Sequence, residues 1–275
     1  MDGELGDFLR SRRARIQPEE VGLPSHGRRR VPGLRREEVA QLAGVSVDYY
    51  IRLEQGRGPG GVSDAVLDAI ARVLRLDETE HAYLLTVARP HKKSTARPDR
   101  PRVRPGVQLL LDGMERTPAF VLGRRMDVLA WNALGDAVNG FSALAPAERN
   151  IPRQVFLDPA AAGFYPDWTA VAAQTVANLR IDAGRHPDDP RMAALVGELS
   201  VKSADFRRLW ADHEVKECAY GTKRIQHPVA GLLTLPYETL TVPTDPDQTI
   251  VAYTPEPGSE TAERLALLGS WATTA

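Results

Sequence analysis

Ser46, Val47, Asp48 and Arg52 are the residues whose types and spacing could do chemistry. An arginine can grip guanine O6 and N7 with two N–H groups, an aspartate can accept from cytosine N4, and a valine can meet a thymine methyl. They serve together only if they emerge on one side of one helix. Ser46 is a natural N-cap, and Tyr50 and Leu53 give the following segment an apolar side, so Val47, Asp48 and Arg52 fall outward. Asp48 has a second reading, compensation of the dipole at a helix N-terminus. Tyr49 stays open between packing and a hydrogen bond to a phosphate.

The elements that must position these residues lie on either side. From Arg35 to Ala43 the chain reads as a short helix, with Val39, Leu42 and Ala43 at i, i+3 and i+4. Gly44 stands where a helix stops in the left-handed region. Ala40, four residues earlier, is small enough to let two helices approach closely. Two short helices about a tight glycine turn form a helix-turn-helix unit, whose second helix enters the DNA major groove. Arg28, Arg29 and Arg30 are consecutive in a Pro- and Gly-rich stretch from Gln17 to Gly33 that reads as a loop, and Arg35 and Arg57 flank the two helices. Such a tract is often merely solvated, but beside a reading helix phosphate contact is preferred, because counterion release rewards it. An opening helix with Leu5, Phe8, Leu9 and Ile16 on one stripe and Arg10, Arg12, Arg13 and Arg15 around it, read as a solvated basic face, joins two more helices capped by Ser63 and Asp77 to complete a five-helix bundle over residues 1–88.

The whole chain has 275 residues and a net charge of −1, enough for two ordinary domains. The charge is unevenly spread: residues 1–105 carry 20 Lys and Arg against 15 Asp and Glu, residues 106–275 carry 15 against 21. Only the front suits a polyanion. The single cysteine, Cys218, fits a reducing cytoplasm, and neither a signal peptide nor a membrane anchor is read in the sequence. Residues 89–106 hold four prolines and seven Lys and Arg, an extended basic linker.

Residues 107–275 read as mixed α and β: a leading helix, two strands around a turn, a helix from Asn132, several further helices and a return to strands. Helices are expected over 168–182, 190–199, 203–214 and 261–268, and strands over 224–227, 232–237, 240–242 and 249–253. Pro236 inside a strand implies an edge or a bulge. His213-Glu214-x-x-Glu217 lacks the second histidine of a zinc-protease helix, and no nucleophile elbow, Walker loop or dinucleotide fingerprint is present. Neither an enzyme nor a metal centre is expected.

The segment Gly33 to Tyr50, with Arg52-Leu-Glu-Gln-Gly-Arg57, resembles the lambda-repressor-like (Xre) helix-turn-helix, and nearly the whole length resembles the MmyB-like transcription regulators. The resemblance implies an all-α five-helix reader followed by an α+β, PAS-like ligand-binding domain with an antiparallel sheet and flanking helices. It implies that Arg13 pairs with Glu54, and that Arg36, with Ser46, Val47, Asp48 and Arg52, contacts base edges or backbone. Phosphate contacts would fall to Arg28, Arg29, Arg30, Arg35, Tyr49 and Arg57. No resident cofactor is implied beyond a fatty-acid-like or other lipophilic ligand, with Trp131, Trp168, Leu179, Phe206, Trp210 and Leu235 as pocket candidates. Expected partners are operator DNA, that ligand and a second copy of the chain, in a cytoplasmic, nucleoid-associated regulator. The alternatives are a C-terminal half that recruits a protein and holds no small molecule, or an enzyme fused to a DNA reader.

Overall fold

The computed structural model describes residues 3–24, 31–56, 62–88, 102–215 and 219–272. The chain divides into two compact units. The first comprises Met1–Ser94 together with Arg180–Asp189 and Leu209–Glu217; the second comprises Thr95–Leu179, Pro190–Arg208 and Cys218–Ala275.

Five helices build the first unit: α1 (Gly3–Arg15), α2 (Arg36–Ala43), α3 (Val47–Glu54), α4 (Asp64–Val73) and α5 (Glu78–Ala88). Phe8, Leu34, Tyr50, Leu53, Ile70 and Leu84 form its core. Helix α2 ends at Gly44 with φ +69, and the Gly44 N–H reaches the Gln41 carbonyl, closing the turn before α3. Three local expectations change. The Gln17–Gly33 stretch contains a 3-10 turn at Pro18–Val21, started by proline and ended by Gly22 at φ +76. On α2, Val39 and Ala40 are the buried residues, whereas Leu42 is exposed, because α3 and α4 both pack on the Val39–Ala40 side. The basic face of α1 is not wholly solvated: Arg10 and Arg15 are exposed, but Arg12 and Arg13 are buried. Arg12 pairs with Glu80 at 2.9 Å and donates to the His213 carbonyl at 2.7 Å.

The second unit is an antiparallel sheet of five strands in the order β2-β1-β5-β4-β3, flanked by helices. The strands are β1 (Ala119–Leu122), β2 (Val128–Trp131), β3 (Tyr220–His227), β4 (Gly231–Val242) and β5 (Asp245–Tyr253). In sequence the helices are α6 (Pro105–Asp112), α7 (Ala133–Asn139), α8 (Ile151–Leu157), α9 (Ala161–Phe164), α10 (Trp168–Arg185), α11 (Pro190–Lys202), α12 (Ala204–Ala211) and α13 (Glu260–Ala272), the C-terminal ends of α10 and α12 belonging to the first unit. One core cluster joins Leu111 of α6 to Ala119, Val121, Ile250 and Ala252 of the sheet. Asn132 caps α7 by accepting from Gly135 N–H at 2.7 Å, while its amide donates to the carbonyls of Leu111, Met114 and Thr117. That buried side chain ties α6, the turn before β1 and the start of α7 into one corner.

Two sequence expectations about the strands are corrected. The pieces 232–237 and 240–242 are one strand, and β4 is interior, so Pro236 marks neither an edge nor a bulge. Its carbonyl accepts from Thr254 just beyond β5, and the N and O of a strand residue face the same side. The missing N–H therefore faces the place where the β5 ladder has ended. Helix α6 also begins at Pro105, inside the stretch read as linker, and Arg104 at its N-terminus pairs with Asp245 at 3.1 Å.

A single glycine sets the approach of α1 to α3. A Cβ on Gly6 would lie 2.1 Å from the Glu54 carbonyl oxygen, a backbone atom that cannot swing aside. Gly6→Ala is expected to cost about 1–3 kcal/mol in urea unfolding through overpacking. Gly197→Ala on α11, with nothing within 4 Å of the added carbon, should be neutral or stabilising by up to about 1 kcal/mol from helix propensity. Equal effects of the two changes would contradict the close approach.

Candidate nucleic-acid interface

Glu54 closes α3 and is buried to 1 % exposure, an unusual place for a carboxylate. It is held by arginines from two other helices. Arg13 of α1 makes a two-pronged contact, Nη2 to Oε1 at 2.9 Å and Nε to Oε2 at 3.2 Å. Arg36 of α2 reaches Oε1 at 3.1 Å, and Arg13 also donates to the Leu34 carbonyl at 2.6 Å. Burial alone would raise the Glu54 pKa, but the hydrogen bonds and charges of Arg13 and Arg36 outweigh it and hold the carboxyl below its ordinary value. Burial likewise works against the Arg13 cation, and Glu54 reverses it, leaving Arg13 above the usual arginine range. The Arg13–Glu54 pair implied by the family resemblance is thus present, and Arg36 joins it.

With its end pinned and with Tyr50 and Leu53 in the core, α3 turns its remaining residues outward. Ser46, Val47, Asp48 and Arg52 are all exposed, Val47 by 40 %. Arg52 makes no ion pair with any described residue, so its guanidinium is available to an external acceptor. Asp48 lies in the first turn of α3, where dipole compensation and base recognition are both served. The Ser46 hydroxyl accepts from the Tyr49 N–H at 3.2 Å, so it works as the helix cap, and a base contact would have to come from its O–H. Tyr49 is half-buried. Arg35 is exposed, its own N–H donating to Glu38 at 2.7 Å. One expectation needs amendment: Arg36, read as a base or backbone contact, is engaged with Glu54, with its side chain 39 % exposed. Arg28, Arg29, Arg30 and Arg57 lie outside the described residues.

The pocket candidates do not gather in one place. Leu179 and Phe206 are fully buried, and Phe206 and Trp168 both stack edge-on against Phe156, the Trp168 indole donating to the Val155 carbonyl at 2.9 Å. Trp131 is on the edge strand β2, tilted against Phe141 with Arg149 over its ring. Trp210 belongs to the first unit, its ring 4.2 Å beneath the guanidinium of buried Arg180. Leu235 is buried on β4 beside Leu233 and Tyr237. The sequence reading passed over a polar cluster close to Leu235: Lys223, Tyr165, Gln174 and Tyr237. The signal available was the alternation Gly221, Lys223, Ile225, His227, which puts Lys223 on the face of buried Ile225. Among the described residues no group of three or more His, Cys, Asp or Glu could hold a metal, and no helix is long and apolar enough to cross a membrane.

A short helix that follows a glycine turn and presents an arginine paired with no described residue defines a helix-turn-helix DNA-binding protein, here joined to a second domain built on an antiparallel sheet. Residues 4–84 match the model of a helix-turn-helix domain, and residues 103–268 match that of the MmyB-like transcription regulator ligand binding domain. The second match spans more than half of the chain, which therefore belongs to the MmyB-like transcription regulators. It is a DNA-binding transcription regulator with a ligand-binding domain. No curated protein matches it.

Neutralising Glu54 leaves two arginines facing each other in the bundle. Glu54→Gln, or Arg13→Met, is expected to cost about 3–5 kcal/mol, and a double-mutant cycle should show strong coupling between the two positions. Because the folded-state pKa of Glu54 is depressed, its contribution is present above the ordinary glutamate value and is lost as the pH falls through the lower folded value. Between about pH 6 and pH 3 the wild type should lose more stability than Glu54→Gln in chemical denaturation. Identical acid profiles would remove the ionic role.

Proposed function

We propose that this protein is a cytoplasmic, sequence-specific regulator that reads operator DNA with α3 and whose C-terminal domain binds a lipophilic, fatty-acid-like small molecule. The observation that carries the DNA half is the outward set Ser46, Val47, Asp48 and Arg52, on a helix whose other side is locked to α1 and α2 through Glu54. Arg52 grips a guanine, Asp48 accepts from a cytosine, and Val47 meets a thymine methyl. Arg28, Arg29, Arg30, Arg35, Tyr49 and Arg57 hold phosphates. Ligand affects DNA affinity by binding one conformation of the protein more tightly than another. In support of the lipophilic reading are the apolar side chains on the inner faces of the second unit, including Leu179, Phe206 and Leu235.

Two half-sites need two recognition helices a helical turn apart, so the working species is a homodimer. Leu109 and Leu110 of α6, exposed by 72 % and 53 %, favour that helix as a contact for a second copy.

Selection of bound duplexes from a random pool, followed by titration of the selected site, tests the reading. Arg52→Ala should lose about 1–3 kcal/mol on the selected site with relaxed preference at one base pair, while Arg29→Ala should weaken all duplexes alike and lower the salt slope. Equal losses on selected and random DNA for Arg52→Ala would refute its part in base recognition. For the ligand, native mass spectrometry of the purified protein should show an adduct that lipid extraction removes; an apo mass together with no thermal shift from any acyl compound would refute the lipophilic reading.

A further inference from the structure

The first unit holds two stretches that come late in the chain. Helix α10 belongs to the second unit up to Leu179, but Arg180–Asp189 belongs to the first; α12 likewise begins in the second unit, and Leu209–Glu217 belongs to the first. Both stretches pack on the reader bundle. Val215 is buried in the same core as Phe8 and Tyr83, with Ile181 partly buried against that core. Arg12 of α1 donates to the His213 carbonyl at 2.7 Å, and Arg15 donates to the Asp212 carbonyl at 3.2 Å. At Gly184 the approach is so close that a Cβ would lie 2.6 Å from the Tyr83 ring and 3.1 Å from Val87, both on α5. Tyr83 is held in place there, edge-on to Phe8 at 5.1 Å and with its hydroxyl donating to Glu4 at 2.6 Å.

The seat of these stretches works against itself. Arg180 is 1 % exposed, and no described carboxylate pairs with it. Its guanidinium has the Trp210 ring, the Trp210 carbonyl and His213 Nδ1, none of which carries a negative charge. Glu4 and Asp7 act on it from farther away, the first bound to Tyr83 and the second to Arg10. The Arg180 Nε and the Arg12 Nη1 are buried without a hydrogen-bond partner. His213 turns the chain at φ +50, in the left-handed region that favours glycine. A desolvated cation without a counter-charge and an unmade hydrogen bond both oppose the packed arrangement. Contacts of this kind sit at the low-stability end of a structure, from which the elements that move in regulation are drawn.

What the seat supports is α1. Arg12 binds the late stretches, and the next residue, Arg13, holds Glu54 at the end of α3. We infer that residues 180–189 and 209–215 are positioning segments of the DNA reader: seated on α1 and α5 they keep α1 against Glu54, and when they are released α1 holds α3 less well. Both segments continue helices begun in the second unit, so they give that unit a covalent handle on DNA affinity. This rests on α3 as the DNA-reading helix and adds to it the late part of the chain that sets its placement.

Deuterium exchange of the full-length protein is followed by mass spectrometry, with and without the duplex selected from the random pool. Bound duplex should slow exchange in 180–189 and 209–215 as well as in α3, while α7 of the second unit is unchanged, because an arrangement that favours DNA is favoured by DNA in return. Gly184→Leu, which pushes the first segment off Tyr83, should speed exchange in both segments. It should also weaken the selected duplex by at least about tenfold, with a smaller loss on random duplex. Arg180→Met, which removes the unpaired cation and keeps an apolar stem, should leave protection and affinity at the wild-type level or above. Gly197→Leu, on α11 with nothing within 4 Å of the added carbon, should change neither. If duplex leaves exchange of the two segments untouched in the wild type, or if Gly184→Leu loosens them and keeps wild-type affinity, the positioning role is refuted and the DNA reading of α3 survives. If the wild type binds no duplex, both are refuted. The wild-type exchange comparison decides the matter even if Gly184→Leu fails to fold.

Discussion

Everything the DNA-reading half does depends on one buried carboxylate. Glu54 sits at the end of α3 with its side chain out of solvent, and two guanidiniums, from Arg13 of α1 and Arg36 of α2, supply the charge it needs. Such a node is a poor source of net stability, since desolvation of the ions consumes most of the attraction. Its value is geometric. A two-pronged arginine–carboxylate contact has a fixed plane and distance, so three helices meet at one relative placement. Gly6, where a side chain would collide with the Glu54 backbone, gives the same placement a steric boundary.

From that placement the rest of the reader follows. Tyr50 and Leu53 are drawn inward on α3, which leaves the opposite side to Val47, Asp48 and Arg52. As proposed, an arginine that no described residue pairs, a short acidic side chain and an exposed methyl surface form a set of complementary contacts for base edges. In the same proposal the phosphate-contacting residues add attraction to any duplex, without discrimination. In the proposed function, specificity and affinity thus come from different residues of the same unit.

Much of this was legible in the sequence because it is local. The helical stripes, the Gly44 stop and the Ser46 cap are each decided within a turn or two of chain. The first strand pair and the Asn132 cap were also readable, since the turn between strands and the cap are short-range signals. What escaped depends on distant partners. Pro236 looked like a strand breaker because nothing near it reveals that the neighbouring strand stops just there. Leu42 looked buried because its spacing fits an apolar face, yet α3 and α4 cover the other flank. Arg12 looked solvated because its partner Glu80 lies far along the chain. Lys223 fell outside the expected strand because Tyr220, Gly221 and Thr222 are weak strand signals; pairing with β4 extends β3 through them and fixes which side the lysine faces.

The most direct test of the account follows the backbone amide resonances of the full-length protein as a selected duplex is added. The largest shifts should fall on Ser46 to Arg52, with those of Glu54 and Arg13 nearly unmoved because the node is preformed. If Ser46 to Arg52 stay unperturbed while another surface responds, α3 is not the reading helix and the account fails.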